Sequence, residues 1–310
     1  MKKTALFIIL ASFLGLASCE DVIDYQSAPS GKTQLVVDSW ITDFAGQDQL
    51  VTLTLTQPYF EKTAPKPALN ATVLVIDQDT ITYTFKDVKQ NGHYVWQPKN
   101  KNDKILTIGK RYALYIKYDG QEYVSTSETR RVPKIDSITY IEDTLPIVPN
   151  DSIKKTGFNA EFIATDFKGP NDTYWIRSYL NDTLKSSPNN ITVAWDAAGS
   201  QGSNFDGGLF ILPIRQSINT RPGDASPRLF QDKDKIRVDI YSIPNEAFFY
   251  LSLVRTVSQN GGIFATPISN IPSNVQNRVK GGLEPLGFFC TSAVSTLTTI
   301  IDKKKAKKKV

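Results

Sequence analysis

Val51-Thr52-Leu53-Thr54-Leu55-Thr56 sets one apolar residue against one threonine three times in succession. A period of two marks a strand with one face on a core, so Val51, Leu53 and Leu55 turn inward and the threonines outward. Leu35 to Ile41 (LVVDSWI) precedes it and is rich in β-formers; Pro58, Pro65 and Pro67 punctuate the loop that comes after it. Ala71 to Ile76 is the next strand, stopped by Asp77-Gln78-Asp79, and Thr80 to Phe85 pairs with it as a hairpin. Asn91-Gly92 is a turn from which His93 to Trp96 departs. Gly109 introduces Tyr112 to Ile116, Tyr118-Asp119-Gly120 turns the chain again, and Tyr123 to Thr129 closes the set. Short strands at this spacing with no helical period between them predict a β-sandwich over residues 33–132.

Arg131-Val132-Pro133-Lys134-Ile135 marks a boundary, because Pro133 cannot donate to a strand ladder. A second β-rich domain is expected over 133–302. Its strands are Ile135 to Ile141, Phe158 to Thr165, Tyr174 to Leu180, Ile191 to Trp195 and Lys235 to Ile243, with one or two closing strands in Leu286 to Ile301. Residues 196–208 (DAAGSQGSNFDGG) form a long Gly/Ser/Asn/Asp loop, of a kind that is commonly functional. Phe210 to Ile214 comes next, and a polar, Pro-rich loop spans 215–229. The period then changes. Ala247, Phe248, Leu251, Val254 and Val257 recur at three and four, which predicts one amphipathic helix near 245–260, capped by Ser242 or Asn245 and stopped by Gly261-Gly262. Residues 263–285 read as an extended loop, and residues 303–310 as a solvated lysine-rich tail. The fold class is therefore mainly β.

A hydrophobic content of 40% with 22% charged residues describes a folded protein. The net charge of +5 is carried by the ends: without Lys2, Lys3 and the six lysines of the last eight residues, 28 bases face 31 acids. No basic body is left for nucleic acid. His93 is the only histidine, which argues against a histidine-based triad or a multi-histidine metal site. Cys290 lies in the apolar run Gly287-Phe288-Phe289-Cys290 and reads as a buried, inert thiol.

The N-terminus has two lysines, an apolar run from Ala5 to Leu16, and then Leu16-Ala17-Ser18-Cys19. This is a signal peptide over residues 1–18, too short for a permanent span. The last four residues resemble the lipobox of bacterial lipoproteins. That resemblance implies cleavage between Ser18 and Cys19 and a covalent lipid on Cys19, which anchors the chain to the outer membrane. Glu20, Asp21 and Asp24 begin an acidic tether over 19–32 and resemble the export signal that carries Bacteroidota lipoproteins to the cell surface.

Ala71-x-Val73-x-Val75, Gly92-x-Tyr94 and Tyr112-x-Leu114-x-Ile116, ending at Gly120-x-x-Tyr123, together resemble transthyretin-like or carboxypeptidase-regulatory-like sandwiches, with another Ig-like sandwich as the alternative. Taken in order, the lipobox, Leu35 to Asp43, Ala71-x-Val73, Pro133-x-Ile135-Asp136-Ser137, the helix, Gly262 to Pro267 and Leu286-Gly287-Phe288-Phe289 resemble the Bacteroidota lipoprotein family catalogued as domain of unknown function four-two-four-nine. Members are often encoded beside TonB-dependent outer-membrane transporters. The resemblance implies an accessory module that binds a nutrient for such a transporter. The alternatives are an adhesive or structural envelope role and a hydrolase built on a carboxylate pair. No cofactor is expected apart from the lipid. Tyr59, Phe60 and Phe205 sit in loops and are the candidate ligand-binding aromatics. Asp196 and Asp206, with Asp232 and Asp234 nearby, are the candidate oxygen ligands for Ca2+, although no EF-hand spacing is present.

Overall fold

The computed structural model describes residues 32–58, 61–148, 153–203, 205–220, 224, 228–259 and 271–307. Its strands and helices belong to the compact unit Thr33–Gln57 with Lys62–Val310. Seven strands come first: β1 (Leu35–Thr42), β2 (Gln49–Leu55), β3 (Thr72–Asp77), β4 (Thr82–Phe85), β5 (His93–Trp96), β6 (Arg111–Tyr118) and β7 (Gln121–Glu128). The chain continues through β8 (Ile135–Thr144), β9 (Thr156–Ala164), β10 (Thr173–Leu180), β11 (Thr183–Leu184), β12 (Thr192–Trp195) and β13 (Lys235–Ile243). After the helix Asn245–Gln259 come β14 (Gln276–Asn277), β15 (Leu286–Ser292) and β16 (Val294–Ile300).

Two sheets, ordered β15-β1-β2-β5 and β14-β7-β6-β3-β4, face each other as a sandwich, to which residues beyond 132 contribute β14 and β15. Val51 and Leu53 are fully buried between them, opposite Val73, Val75, Leu114 and Ile116, and each such side chain contributes roughly 1.5–3 kcal/mol by leaving water. A third sheet, β11-β10-β13-β16 with β12 also on β10, shares a second core with the hairpin β8-β9. The mainly-β class with one long helix is thus the observed fold.

The closing segment is where the structure goes beyond the strand pattern. β15 runs parallel to β1, with Val37 opposite Gly287 and Trp40 opposite Cys290, while β16 pairs with β13 in the third sheet. One continuous segment therefore stitches the first sheet to the third. Phe289 points into the sandwich core, while Phe288 and Cys290 point to the other face. There they join Trp195, Tyr241, Ile243 and the helix residues Ala247, Phe248 and Leu251 in a third cluster. Cys290 is fully buried, and burial pushes its thiol up to about 12, so it stays protonated and unreactive at neutral pH.

At three places the chain departs from its local sequence pattern. Asn245 does not cap the helix with its side chain: its Oδ1 accepts from Arg130 Nη1 at 2.7 Å and Thr173 Oγ1 at 3.3 Å. The first turn closes on the carbonyl of Pro244 instead, which accepts from the amides of Ala247 and Phe248. The stretch after Phe210 is a short helix, Leu212–Arg215, continued by a 3-10 turn at Gln216–Ile218; Pro213 suits a first helical turn because its missing N–H has no partner there. The start of the lysine tail is docked, not free: Asp302 caps Lys303–Lys305 through the Lys304 amide, and the Lys307 amide donates to the Tyr140 carbonyl at 3.0 Å. Gly261-Gly262 lie outside the described residues.

Candidate functional site

The loop that carries Asp196 and Asp206 folds back on the end of β9. Phe210 and Asp166 donate backbone N–H groups to Ala164 O and Gly208 O, which lays residues 205–210 along Thr165-Asp166. Asp206-Gly207-Gly208 makes a tight turn there; Gly207 has φ +67°, and a Cβ on it would meet Lys168 Cγ at 2.9 Å. The consequence is a trio. One carboxylate oxygen each from Asp166, Asp196 and Asp206 lies within 4.8 Å of the others.

Backbone amides hold each acid. Asp196 Oδ1 accepts from Asn171 N at 2.7 Å and Asp172 N at 3.0 Å, Asp206 Oδ1 from Gly169 N at 2.9 Å, and Asp166 Oδ2 from Gly207 N at 3.3 Å. Asp166 Oδ1 accepts from Tyr174 OH at 2.5 Å. Burial raises the carboxyls of Asp166 and Asp196 above the usual carboxylate range, and their acidic neighbours add to the effect. Burial and then the Asp166 carboxylate push the Tyr174 phenol far up. Three carboxylates in this arrangement offer oxygen ligands to a hard cation, for which carbonyls and waters would complete six to eight contacts. Calcium against chelator is accordingly expected to raise the wild-type Tm. Asp206→Asn, which relieves repulsion, is expected to raise the Tm in chelator and abolish the calcium increment of about 2–4 °C per kcal/mol. Equal melting curves in calcium and chelator contradict a cation at the trio.

The other candidates are placed differently. Asp234 is taken by Arg228, which donates from both Nη atoms at 2.7 and 3.0 Å; burial opposes ionisation, yet that pairing and the Gln231 amide hold the carboxyl below its ordinary value. Asp232 caps the Lys303 amide at 3.0 Å. Phe205 is 50% exposed beside the trio. Tyr59 and Phe60, and the lipidation and export residues Ser18, Cys19, Glu20, Asp21 and Asp24, lie outside the described residues.

A larger concavity opens at one side of the sandwich. β4 ends one sheet and β5 ends the other, and a single pair joins these edges: Lys86 and Val95 exchange two backbone hydrogen bonds of 3.0 Å. Beyond that pair the two edges diverge, because they belong to different sheets. The cleft left between them has a volume of about 830 Å³. Its floor is Tyr83 and Trp96, half-buried on the sandwich core, with ring centroids 6.0 Å apart in an edge-to-face contact. Lys86, Lys89 and Lys99 stand at the rim with Asp48 and His93, whose Nδ1 lies 3.1 Å from Thr52 Oγ1. Among the described residues none of these three lysines makes an ion pair. The cleft thus combines exposed ring surface on its floor with positive charge at its rim.

The model of the family described as Domain of unknown function (DUF4249) matches residues 20–298. The chain belongs to this family. No curated protein matches it. The DUF4249 match takes in both walls of the edge cleft and the whole aspartate trio. Tyr83 and Trp96 differ from the loop aromatics Tyr59, Phe60 and Phe205 to which the DUF4249 sequence points. Each shares a strand face with a core residue, Phe85 and Tyr94, and only the position of both strands at sheet edges distinguishes them. Asp166 likewise carries no local signal; it meets Asp206 through the return of the loop.

Proposed function

We propose that this DUF4249 chain is an outer-membrane lipoprotein, anchored through Cys19 and displayed at the cell surface, that serves as an accessory binding module for a TonB-dependent nutrient transporter. The edge cleft carries the binding part of this reading. A pocket of this size falls within the range of small-ligand sites, and its floor offers ring faces on which a sugar or other flat solute stacks. The unpaired lysines favour acidic groups on that solute, so an acidic oligosaccharide is the class that fits best. The Leu16-Ala17-Ser18-Cys19 quartet supports the anchor. No helix of the described residues is long and apolar enough to cross a membrane, and a lipid anchor requires none.

The test is binding to a panel of neutral, uronic-acid and sulfated oligosaccharides. Wild type is expected to retain acidic members. Trp96→Ala is expected to weaken them about 30-fold, as removal of a central aromatic contact does, and Lys86→Glu with Lys99→Glu to abolish the preference for charge. Undiminished binding by Trp96→Ala, or retention of neutral sugars alone, contradicts the assignment of the cleft.

A further inference from the structure

A second pocket, of about 300 Å³, lies where β1, β10 and the helix Asn245–Gln259 meet. It shares no residue with the edge cleft. Its walls are aromatic: the rings of Trp40 and Trp175 are 4.8 Å apart, and Tyr250 stands 6.5 Å from Trp40. The far wall, which carries Asn190, is tied to the helix by Gln259 Nε2, which donates to Asn189 Oδ1 at 2.8 Å, and by Arg255 Nη1, which donates to Ile191 O at 3.3 Å.

Opposite charges line this pocket without joining. The Arg177 guanidinium lies over the Trp175 ring, 4.7 Å from its centroid, and Nη1 donates to Tyr241 OH at 3.3 Å. Its Nε is buried and has no acceptor among the described residues. Asp38 is exposed at the mouth, where Oδ1 accepts from Trp40 Nε1 at 2.9 Å. Asp38 and Arg177 form no ion pair. Asn190 Oδ1 is likewise buried without a donor, while its Nδ2 donates to Asp224 at 2.8 Å. Burying a donor or acceptor without a partner is costly, so folded proteins rarely leave one of each beside the same cavity. The two orphaned atoms call for an acceptor at Arg177 and a donor at Asn190, and Asp38 offers a carboxylate at the mouth to a cation, carried on a body that packs against the indole and phenol rings.

We propose that this pocket binds a small zwitterion with an apolar or aromatic body, an α-amino acid, with its carboxylate on Arg177, its ammonium at Asp38 and Asn190, and its side chain among Trp40, Trp175 and Tyr250. A guanidinium matches a carboxylate in geometry as well as charge, and the ring faces favour the ammonium as well as the apolar body.

Calorimetric titration of the full mature protein with L-phenylalanine, phenethylamine and 3-phenylpropionate tests this assignment. L-phenylalanine is expected to bind, and each analogue, lacking one charge, to bind at least about tenfold more weakly. Asp38→Asn alters an exposed side chain and leaves the fold intact; it is expected to weaken L-phenylalanine about tenfold and to leave 3-phenylpropionate unchanged. Arg177→Met is expected to abolish the advantage of the carboxylate. Absence of binding at about 10 mM, equal affinity for all three compounds, or an affinity for L-phenylalanine untouched by Asp38→Asn overturns the proposal. Should Arg177→Met fail to fold, the Asp38→Asn comparison decides the matter alone.

Discussion

Gly287→Ala is expected to be the most damaging small substitution in the sandwich, lowering stability by about 3 kcal/mol and Tm by roughly 6–12 °C. Gly287 sits inside β15 with φ +95°, where a side chain is strained whatever the space. Space is also lacking: an added Cβ would lie 1.9 Å from Val37 O and 2.8 Å from Val37 C, backbone atoms of the strand that β15 pairs with. The methyl group must therefore push β15 off β1. The same strand places Phe289 in the sandwich core and Phe288 and Cys290 in the junction, so both clusters loosen together. Gly281→Ala is the control. It has φ +77° with nothing within 4 Å of an added Cβ, and carries only the conformational cost of about 1 kcal/mol. Thermal denaturation monitored by circular dichroism separates the two; equal shifts contradict the close approach of β15 to β1.

Leu251→Asp has the larger absolute effect and is expected to unfold the half of the molecule around the helix. Leu251 is 4% exposed and packs among Trp195, Ile243, Phe248 and Phe288. Removing a buried leucine costs about 2–5 kcal/mol, and an unpaired carboxylate in its place adds several more. That total rivals the whole stability of an ordinary domain, about 5–15 kcal/mol. Leu253→Asp, two residues along the same helix but 36% exposed, is expected to change stability by less than about 0.5 kcal/mol. A Leu251→Asp protein with wild-type protease resistance and Tm contradicts the burial of this face.

The contrast between these two residues shows what the sequence makes legible. Leu251 announces itself, because Ala247, Phe248 and Leu251 repeat at helical spacing, and the helix forms where that spacing lies. The strands from Leu35 to Glu128 arise from alternation and turn residues in the same way, since pairing of neighbours in sequence is a local matter. Gly287 is silent. Its constraint comes from Val37, some 250 residues away, and no local period encodes a parallel partner at that distance. The candidate sites divide along the same line. Asp196 and Asp206 share one polar loop and are visible as acids in a loop of functional length; Asp166, the third member of their trio, is supplied by another strand end. Tyr83 and Trp96 look like core residues by alternation, and they line a cleft only because β4 and β5 end different sheets. Arg177 and Asp38 come from strands of different sheets that the junction brings to one pocket.

The accessory role is tested most directly by co-purification. A C-terminally tagged chain is recovered from outer membranes in mild detergent, with Cys19→Ser as the control that removes the anchor. A stoichiometric TonB-dependent transporter is expected with the wild-type protein, and loss of the protein from the membrane fraction with Cys19→Ser. A membrane-anchored protein recovered with no transporter contradicts the accessory role.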